Sequence, residues 1–150
     1  MSKHITRIMI LAVGLFGLTL GVASAVNAQV MVIASDNSPI NEIELRELRS
    51  LYKGRLTRLR GQSVVPLNTA PGSTDRRAFL DQMMEQNELD YVGYWHVRRY
   101  SGQGVPPEEV GTHDELFDKL RKNNGLIGYI WIEPGKKPDL PTGLKIIKVK

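Results

Sequence analysis

Hydrophobic residues fall into two kinds of pattern along this chain, continuous runs and helical stripes, and turn residues separate them. Residues 30–34 form an apolar run that Ser35-Asp36-Asn37-Ser38-Pro39 ends, which predicts a buried strand followed by a turn. Residues 64–67, 127–132 and 144–149 are runs of the same kind and predict three further strands. Pro66 favours an edge position or a strand end for the second of them, since proline cannot donate to a ladder.

Four segments between these runs have the spacing of amphipathic helices. Their predicted N-terminal caps are Asn41 (in a capping box with Glu44), Ser73 or Thr74, Asn87, and Thr112 (in a capping box with Glu115). Their predicted apolar faces contain Leu45, Leu48, Leu51 and Tyr52; Phe79, Leu80, Met83 and Met84; Leu89, Val92, Trp95 and Val97; and Leu116, Phe117 and Leu120. Residues 55–62 are expected to form a basic loop, and residues 134–143 a Pro/Gly loop. The order βαβαααββ predicts one α/β domain with a small mixed sheet flanked by helices.

Residues 1–28 have a different composition, because no charged residue occurs between Arg7 and Asp36. A short basic start, an apolar stretch over residues 8–22 and a tail of small residues are typical of a secretory signal peptide. We expect cleavage after Ala28, with Ala25 as the second choice, and a periplasmic or otherwise secreted domain over residues 29–150. The alternative is an uncleaved membrane anchor, since the uncharged stretch approaches the roughly 20 residues that a membrane span needs.

The basic character of the chain lies partly in this leader. It carries two of the 20 Lys and Arg residues and none of the 16 Asp and Glu residues, so its removal lowers the net charge from +4 to +2. A nearly neutral exported domain does not favour a nucleic-acid partner. The chain has no cysteine, which excludes both disulfides and a lipid attached at a cysteine.

Residue types that carry catalysis are scarce. Outside the leader the histidines are His96 and His113, and the common hydrolase and metalloprotease motifs are absent from the sequence. We expect His96 to pack or lie at the surface of an aromatic helix, and His113 to lie in a solvated first turn. Glu108 and Glu109, in a Pro-rich loop, are expected to be exposed. The sequence therefore predicts neither an enzyme nor a site for a metal or cofactor.

Gly72-Ser73-Thr74 is the strongest candidate binding site, because it lies between a predicted strand and a predicted helix. Backbone N–H groups at a helix N-terminus, two hydroxyls and the positive end of the helix dipole favour an oxyanion there. Arg76 and Arg77 could add charged donors. The alternative is an ordinary N-cap with no ligand, and Asp75 would repel an anion. Further walls of a cleft could come from four residues in turns: Ser35, Ser38, Ser101 and Gly102.

The ordered set of these segments resembles the substrate-binding proteins of phosphate ABC importers. It consists of residues 43–58 with Lys53-Gly54 and Thr57, residues 64–67, Gly72-Ser73 with Phe79, Tyr94-Trp95, residues 101–104, and residues 124–129 with their Gly-Leu-Ile-Gly-Tyr sequence. The resemblance covers residues 30–132. It implies a periplasmic-binding-protein-like α/β domain of the second type, and the chain has the length of a single lobe where the family has two.

The resemblance also implies a site, from which this sequence departs. The family presents an arginine and a Ser-Gly-Thr run to phosphate, and Ser73 matches the serine. Thr74 falls where the family has glycine and Asp75 where it has threonine, while the arginine's place falls near Thr69. We therefore expect weak or absent phosphate binding unless a partner or a second copy completes the cleft.

The sequence is compatible with two functions. The first is a periplasmic module that binds inorganic phosphate or a similar oxyanion. The second is an adaptor that keeps the fold and contacts a membrane transporter or a sensor protein, and a homodimer is a further expectation. Candidate contact residues are the arginines of the basic loop and of the aromatic helix: Arg55, Arg58, Arg60, Arg98 and Arg99. A solvated face is the alternative for these arginines.

Overall fold

The computed structural model describes residues 29–150, so the predicted leader and its cleavage sites lie outside the described residues. The strands are β1 (Gln29–Ser35), β2 (Glu42–Ile43), β3 (Arg58–Leu59), β4 (Gln62–Ser63), β5 (Val65–Thr69), β6 (Glu108–Val110), β7 (Leu126–Ile132) and β8 (Leu144–Val149). The α-helices are α1 (Leu45–Tyr52), α2 (Thr74–Phe79), α3 (Glu88–Tyr100) and α4 (His113–Lys122). A π-helical segment, Leu80–Met84, continues α2 directly. Over residues 29–150, no helix has both the length and the apolar character needed to cross a membrane.

The main sheet is mixed and has six strands in the order β2-β8-β1-β7-β5-β6. Strand β1 lies near its centre and pairs antiparallel with both β7 and β8, so that Val32 faces Tyr129 on one side and Ile147 on the other. Strand β5 runs parallel to β7 and to β6. This confirms the predicted α/β class with a small mixed sheet. Strands β3 and β4 form a separate hairpin in the segment predicted as a loop.

Successive side chains of a strand point to opposite faces of the sheet, and helices pack on both faces. On one face, Val30, Val32 and Ala34 of β1 pack in a core with residues of α1, α2 and α3. At its centre the rings of Phe79 and Tyr129 stack with centroids 3.8 Å apart. On the other face, Ile33 of β1 packs with residues of β5, β7 and α4.

The start of α1 differs from its prediction. Glu44, not Asn41, is the N-cap residue, and its backbone N–H donates to the Glu47 carboxylate at 3.1 Å. Asn41 instead accepts from the Lys145 ammonium at 2.7 Å, because residues 42–43 pair with β8 before the helix begins. The predicted position of Pro66 is confirmed, since it lies at the start of β5, where β6 has not yet begun.

The predicted apolar face of α3 is wrong in two of its four members. Leu89 and Val97 are 83% and 70% exposed, whereas Tyr91 and Trp95 are buried. The two aromatic side chains offer more apolar area than leucine and valine, so the helix turns them inward. Arg98 lies on the same side, where its guanidinium contacts the Trp95 ring and donates to the Gly54 carbonyl.

Candidate anion-binding site

The connection from β5 to α2 forms the candidate site. Strand β5 ends at Thr69, and Gly72 has a φ of +78°, in the region that favours glycine. Ser73 is the N-cap of α2, and its Oγ accepts from the backbone N–H of Arg76 at 3.2 Å. Of the two predicted caps, Ser73 is therefore the one that the structure uses. The same hydroxyl donates to Oγ1 of Thr69 at 3.1 Å.

A chain of buried hydrogen bonds runs inward from this cap. The Tyr129 hydroxyl accepts from both the N–H and Oγ1 of Thr69 at 3.2 Å, and donates to the Asn68 side chain at 3.2 Å. The Asn68 amide donates to the Tyr91 hydroxyl, which in turn donates to the Tyr52 carbonyl. Burial raises the pKa of Tyr129 to about 12 and also raises the pKa of Tyr91. The Ser73 hydroxyl is thus committed to the protein's own network.

Arg76 lies beneath the helix start and is only 2% exposed. Its Nε and Nη2 donate to both oxygens of Glu88, at 2.9 and 2.7 Å, and its Nη1 donates to Glu109 at 2.7 Å. Nη1 also donates to the Thr69 carbonyl at 3.2 Å, and the guanidinium lies over the Tyr91 ring. Burial alone would lower the pKa of Arg76, but the hydrogen bonds with Glu88 and Glu109 outweigh it and raise that pKa.

This arrangement removes Arg76 as an anion ligand. Four hydrogen bonds from its guanidinium go to protein oxygens and the side chain is 2% exposed, so Arg76 has little capacity left for a phosphate. Glu88 and Glu109 bring two negative charges against the one positive charge of Arg76. Arg76 therefore adds no net positive charge for an anion at the start of α2.

Asp75 has a structural role beside the site. One carboxylate oxygen accepts from the Trp131 backbone N–H at 2.7 Å, and the other lies 3.0 Å from Nε2 of His113. Strand β5 ends at Thr69 and does not extend alongside β7 as far as Trp131. The Trp131 amide therefore donates to the Asp75 carboxylate instead of to a strand partner. His113 is half-exposed at the first position of α4, in the solvated turn predicted for it.

Thr74 and Arg77 are both exposed. Thr74 opens onto a groove of about 460 Å³ that Lys136 and Lys137 also line. Arg77 lines a different groove, together with residues 85–87 and the first turn of α3. The first N–H groups of a helix have no partner within the helix, so the amides of Thr74 and Asp75 are the donors that face outward.

The four residues predicted as further cleft walls lie away from Ser73. Ser35 ends β1 near the start of β7, because Ala34 pairs with Ile127, whereas Thr69 lies at the far end of β5. Ser38 accepts from the Ile40 N–H in the turn that follows. Ser101 and Gly102 follow the C-terminus of α3, about 20 Å along that helix from Glu88. The structure therefore does not bring these four residues together with Ser73, and a ligand contact by any of them stays a prediction.

Sequence reasoning missed both acidic partners of Arg76. Glu109 is exposed, as predicted, but it lies in strand β6 instead of a loop, and its carboxylate accepts from the Arg76 guanidinium 33 positions away. Glu88 carries no local signal beyond its place in the first turn of α3. Over residues 29–150 no group of three or more His, Asp or Glu side chains could hold a metal ion.

Known structures show what this fold is. An ABC-type phosphate transport receptor from Vibrio cholerae matches with a TM-score of 0.60 at 15% identity, over 81% of this chain and 46% of the receptor. A putative phosphate ABC transporter substrate-binding protein from Clostridium perfringens, solved with bound phosphate, matches with a TM-score of 0.59 at 17% identity, over 81% of this chain and 45% of that protein. PstS from Borrelia burgdorferi gives a TM-score of 0.57 at 15% identity, over 81% and 47% of the two chains.

The fold is therefore that of phosphate ABC transporter substrate-binding proteins, which confirms the resemblance seen in the sequence at the level of the fold. The chain spans slightly less than half the length of these proteins. No family model and no functionally curated protein matches the sequence.

Proposed function

We propose that this protein is an exported, phosphate-binding-protein-like lobe that does not capture phosphate tightly by itself and acts by contacting a membrane transporter or a sensor protein. One observation carries the proposal. The arginine closest to the candidate anion site, Arg76, is buried and bound by the carboxylates of Glu88 and Glu109.

Phosphate would gain few contacts at the start of α2. A hydrogen bond to a charged group contributes about 1.5 to 3 kcal/mol, and the Arg76 contacts are already used within the fold. Ser73 is likewise engaged with Thr69 and the helix backbone. The outward-facing amides of Thr74 and Asp75 leave an anion with few donors in exposed surroundings. We expect a dissociation constant for phosphate weaker than about 1 mM, which corresponds to about 4 kcal/mol.

A single lobe of this fold, taken by itself, is expected to bind an anion weakly. In the two-lobe family that the sequence resembles, ligand is clasped between lobes, and this chain spans 45% to 47% of the matched proteins. A lobe alone leaves a bound anion open to water, which weakens each electrostatic contact. Tight binding by the isolated lobe is not expected even where its own donors are available.

The proposed contact function draws on the matched structures and on the predicted leader. The matched proteins are described as phosphate transport receptors and substrate-binding proteins of ABC transporters. A secretory leader over residues 1–28 would place this domain in the periplasm or outside the cell, where a membrane protein presents its outer surface. We propose a membrane transporter or a sensor of phosphate status as the partner.

Isothermal calorimetry with inorganic phosphate tests the binding part. The protein is purified from cells that express the full 150-residue sequence, and Ser73→Ala serves as the site variant, with Thr74→Ala as a neighbouring control. No saturable heat at millimolar phosphate is expected for any of the three. Saturable micromolar binding by the wild-type protein would overturn the proposal and make the protein a phosphate binder, and its loss in Ser73→Ala or Thr74→Ala would place the ligand at the start of α2.

Crosslinking in intact cells tests the contact part. A membrane transport or sensor protein linked to this chain is expected. If no membrane protein is linked while the chain is abundant outside the cytoplasm, the contact function is wrong, whatever the calorimetry shows.

A further inference from the structure

Two segments of the described chain carry basic residues and no acidic ones. Residues 48–74 and 91–107 contain seven of the 18 Lys and Arg residues found over residues 29–150, and none of the 16 Asp and Glu residues. The other described residues carry 11 basic and 16 acidic side chains, a net charge of −5. A domain that is nearly neutral as a whole is therefore strongly polarised along its sequence.

The fold brings the two segments together where α1 and α3 end. The Arg98 guanidinium donates to the Gly54 carbonyl at 3.1 Å, and Nε of Arg55 donates to the Tyr94 hydroxyl at 3.3 Å. Three cations surround the Tyr94 ring at 5.6 to 5.8 Å from its centroid: Lys53, Arg55 and Arg98. Arg55 and the next residue of α3, Arg99, are exposed. We call these four residues the basic surface: Lys53, Arg55, Arg98 and Arg99.

No carboxylate neutralises the basic surface. Every ion pair over residues 29–150 involves other cations. The acceptors of Arg55 and Arg98 are a hydroxyl, backbone carbonyls and an amide oxygen, all of them uncharged. The C-terminal ends of α1 and α3 supply about half a negative charge each, so roughly three of the four positive charges stay uncompensated. Such a gathering of one charge favours an anionic partner.

An apolar groove of about 610 Å³ borders the basic surface. Arg99 lines it together with apolar side chains: Leu56, Val64, Val65, Trp95 and Val105. Val65 is 49% exposed and Val105 is 69% exposed. Glu108 also lines the groove, but its carboxylate is paired with the Lys119 ammonium at 2.9 Å. The groove therefore offers hydrocarbon contacts beside positive charge that has no partner.

We propose that the basic surface and this groove bind a membrane surface that contains anionic phospholipids. A phospholipid combines the two chemistries in one molecule, since its phosphate matches the cations and its acyl chains match the apolar groove. A free anion would leave the groove unused. The polarised charge of the domain turns its basic side toward an extended negative surface. The leader predicted over residues 1–28 would place the domain beside such a surface.

This surface is separate from the candidate anion site. Arg98 lies ten residues along α3 from Glu88, about 15 Å from the end of the helix that contacts Arg76. The proposal concerns lipid, not inorganic phosphate or a protein partner, so it does not rest on the function proposed above.

Co-sedimentation with phospholipid vesicles tests the proposal on protein purified from cells that express the full sequence. The wild-type protein is expected to bind vesicles that mix phosphatidylglycerol with phosphatidylcholine, and not vesicles of phosphatidylcholine alone. Binding should fall as salt rises above about 0.1 M, because salt then screens charges more than about 10 Å apart. No binding to the anionic vesicles, or equal binding to the neutral ones, overturns the proposal.

The charge variant combines Arg55→Gln with Arg99→Gln, at the two exposed members of the basic surface. Each Lys or Arg beside an anionic bilayer contributes about fivefold to binding, so the pair is expected to weaken it about 25-fold. The matched control combines Lys122→Gln with Lys148→Gln, two exposed lysines outside the two segments that form no ion pair. It removes the same net charge and should weaken binding about twofold or less. Equal losses in the two variants would mean that only net charge matters, and the proposal would be wrong.

A groove variant keeps the proposal testable if the charge variant fails to fold. Val105→Asp places a carboxylate at an exposed position of the groove and is expected to weaken binding to anionic vesicles about tenfold. Its control is Ile146→Asp, at a 43% exposed residue of β8, which adds the same charge elsewhere and should change binding about twofold or less. If Val105→Asp binds as tightly as the control, the groove takes no part and the proposal is overturned.

Two competitors identify the source of the anion. Millimolar inorganic phosphate at constant ionic strength should leave the protein on the vesicles, and so should polyglutamate, an acidic peptide without acyl chains. Release by phosphate would assign the basic surface to a free anion. Release by polyglutamate would assign it to an acidic protein segment, and either result overturns the lipid proposal.

Discussion

The guanidinium of Arg76 and the carboxylate of Glu88 form a bidentate ion pair, with donor to acceptor distances of 2.9 and 2.7 Å. The pair joins the first turn of α2 to the first turn of α3, twelve positions along the chain. Glu109 adds a third contact from β6, so one buried arginine ties two helices to the edge of the sheet. The same contacts that stabilise this corner withdraw the arginine from any ligand.

Replacing Arg76 should therefore reduce stability even though no ligand is present. Removing one partner of a buried ion pair typically costs 3 to 5 kcal/mol, and the side chains of Glu88 and Glu109 can regain water because they are 32% and 45% exposed. We expect Arg76→Met to lower the free energy of unfolding by about 3 kcal/mol, measured by urea denaturation. The control Arg77→Met, at the exposed neighbouring arginine, should change it by less than about 0.5 kcal/mol. Equal losses at the two positions would show that the buried ion pairs of Arg76 contribute no more to stability than an exposed arginine does.

The cap of α2 gives a second prediction. The Ser73 hydroxyl accepts from the Arg76 N–H and donates to Thr69, so Ser73→Ala removes both bonds. We expect a loss of about 1 kcal/mol in the free energy of unfolding. Thr74→Ala, one position along and exposed, should cost less than half as much. A larger loss at Thr74 would mean that the helix starts one residue later than the structure places it.

Much of the fold could be predicted because its signals are local. The run over residues 30–34, the stripe of α1 and the Asn87 and Thr112 caps each specify an element within a few positions, and the structure contains all of them. The failures have a common cause. Strand β6 and the inward position of Tyr91 depend on partners distant in sequence, which no local pattern encodes.

The buried tyrosines predict a loss of stability at alkaline pH. Burial raises the pKa of Tyr129 to about 12 and the pKa of Tyr52 well above its usual range. In the unfolded chain a tyrosine ionises near pH 10, so above that pH the unfolded state loses protons that the folded state keeps. The stabilisation is therefore complete below about pH 10 and is lost as the pH rises toward 12, by about 3 kcal/mol for Tyr129 alone.

Unfolding by urea across this pH range measures the loss, and the absorbance of tyrosinate follows the ionisation directly. Ionisation of Tyr129 near pH 10 in a protein that stays folded would contradict the burial of this network.

Asp75 should act mainly through the Trp131 amide rather than through His113. Hydrogen bonds to charged groups contribute about 1.5 to 3 kcal/mol, whereas exposed ion pairs contribute 0 to 1 kcal/mol. We expect Asp75→Ala to lower the free energy of unfolding by about 2 kcal/mol. Asp75→Asn, which keeps an oxygen for the amide, should lose less than half of this, and so should His113→Ala. If His113→Ala costs as much as Asp75→Ala, the histidine contact dominates instead.

The candidate site was only partly predictable, and the reason is again the range of the interactions. Gly72 and Ser73 form a local strand-to-helix turn, so sequence alone located both the turn and the cap. The role of Arg76 depends on the carboxylates of Glu88 and Glu109, which lie 12 and 33 positions away. These two ion pairs give Arg76 a structural role in place of the expected role as an anion donor. A charged residue in a motif predicts a ligand site only when it forms no ion pair with a residue elsewhere in the fold.

Phosphate titration followed by the backbone amide signals in nuclear magnetic resonance tests the central claim most directly. Thr74 and Asp75 supply the outward-facing amides at the start of α2, so their signals report an anion there. We expect shifts that are small and do not saturate at millimolar phosphate, because the nearby arginine is already neutralised. Saturable shifts of these two amides below about 1 mM phosphate would contradict the account, since that affinity requires more than about 4 kcal/mol of binding free energy.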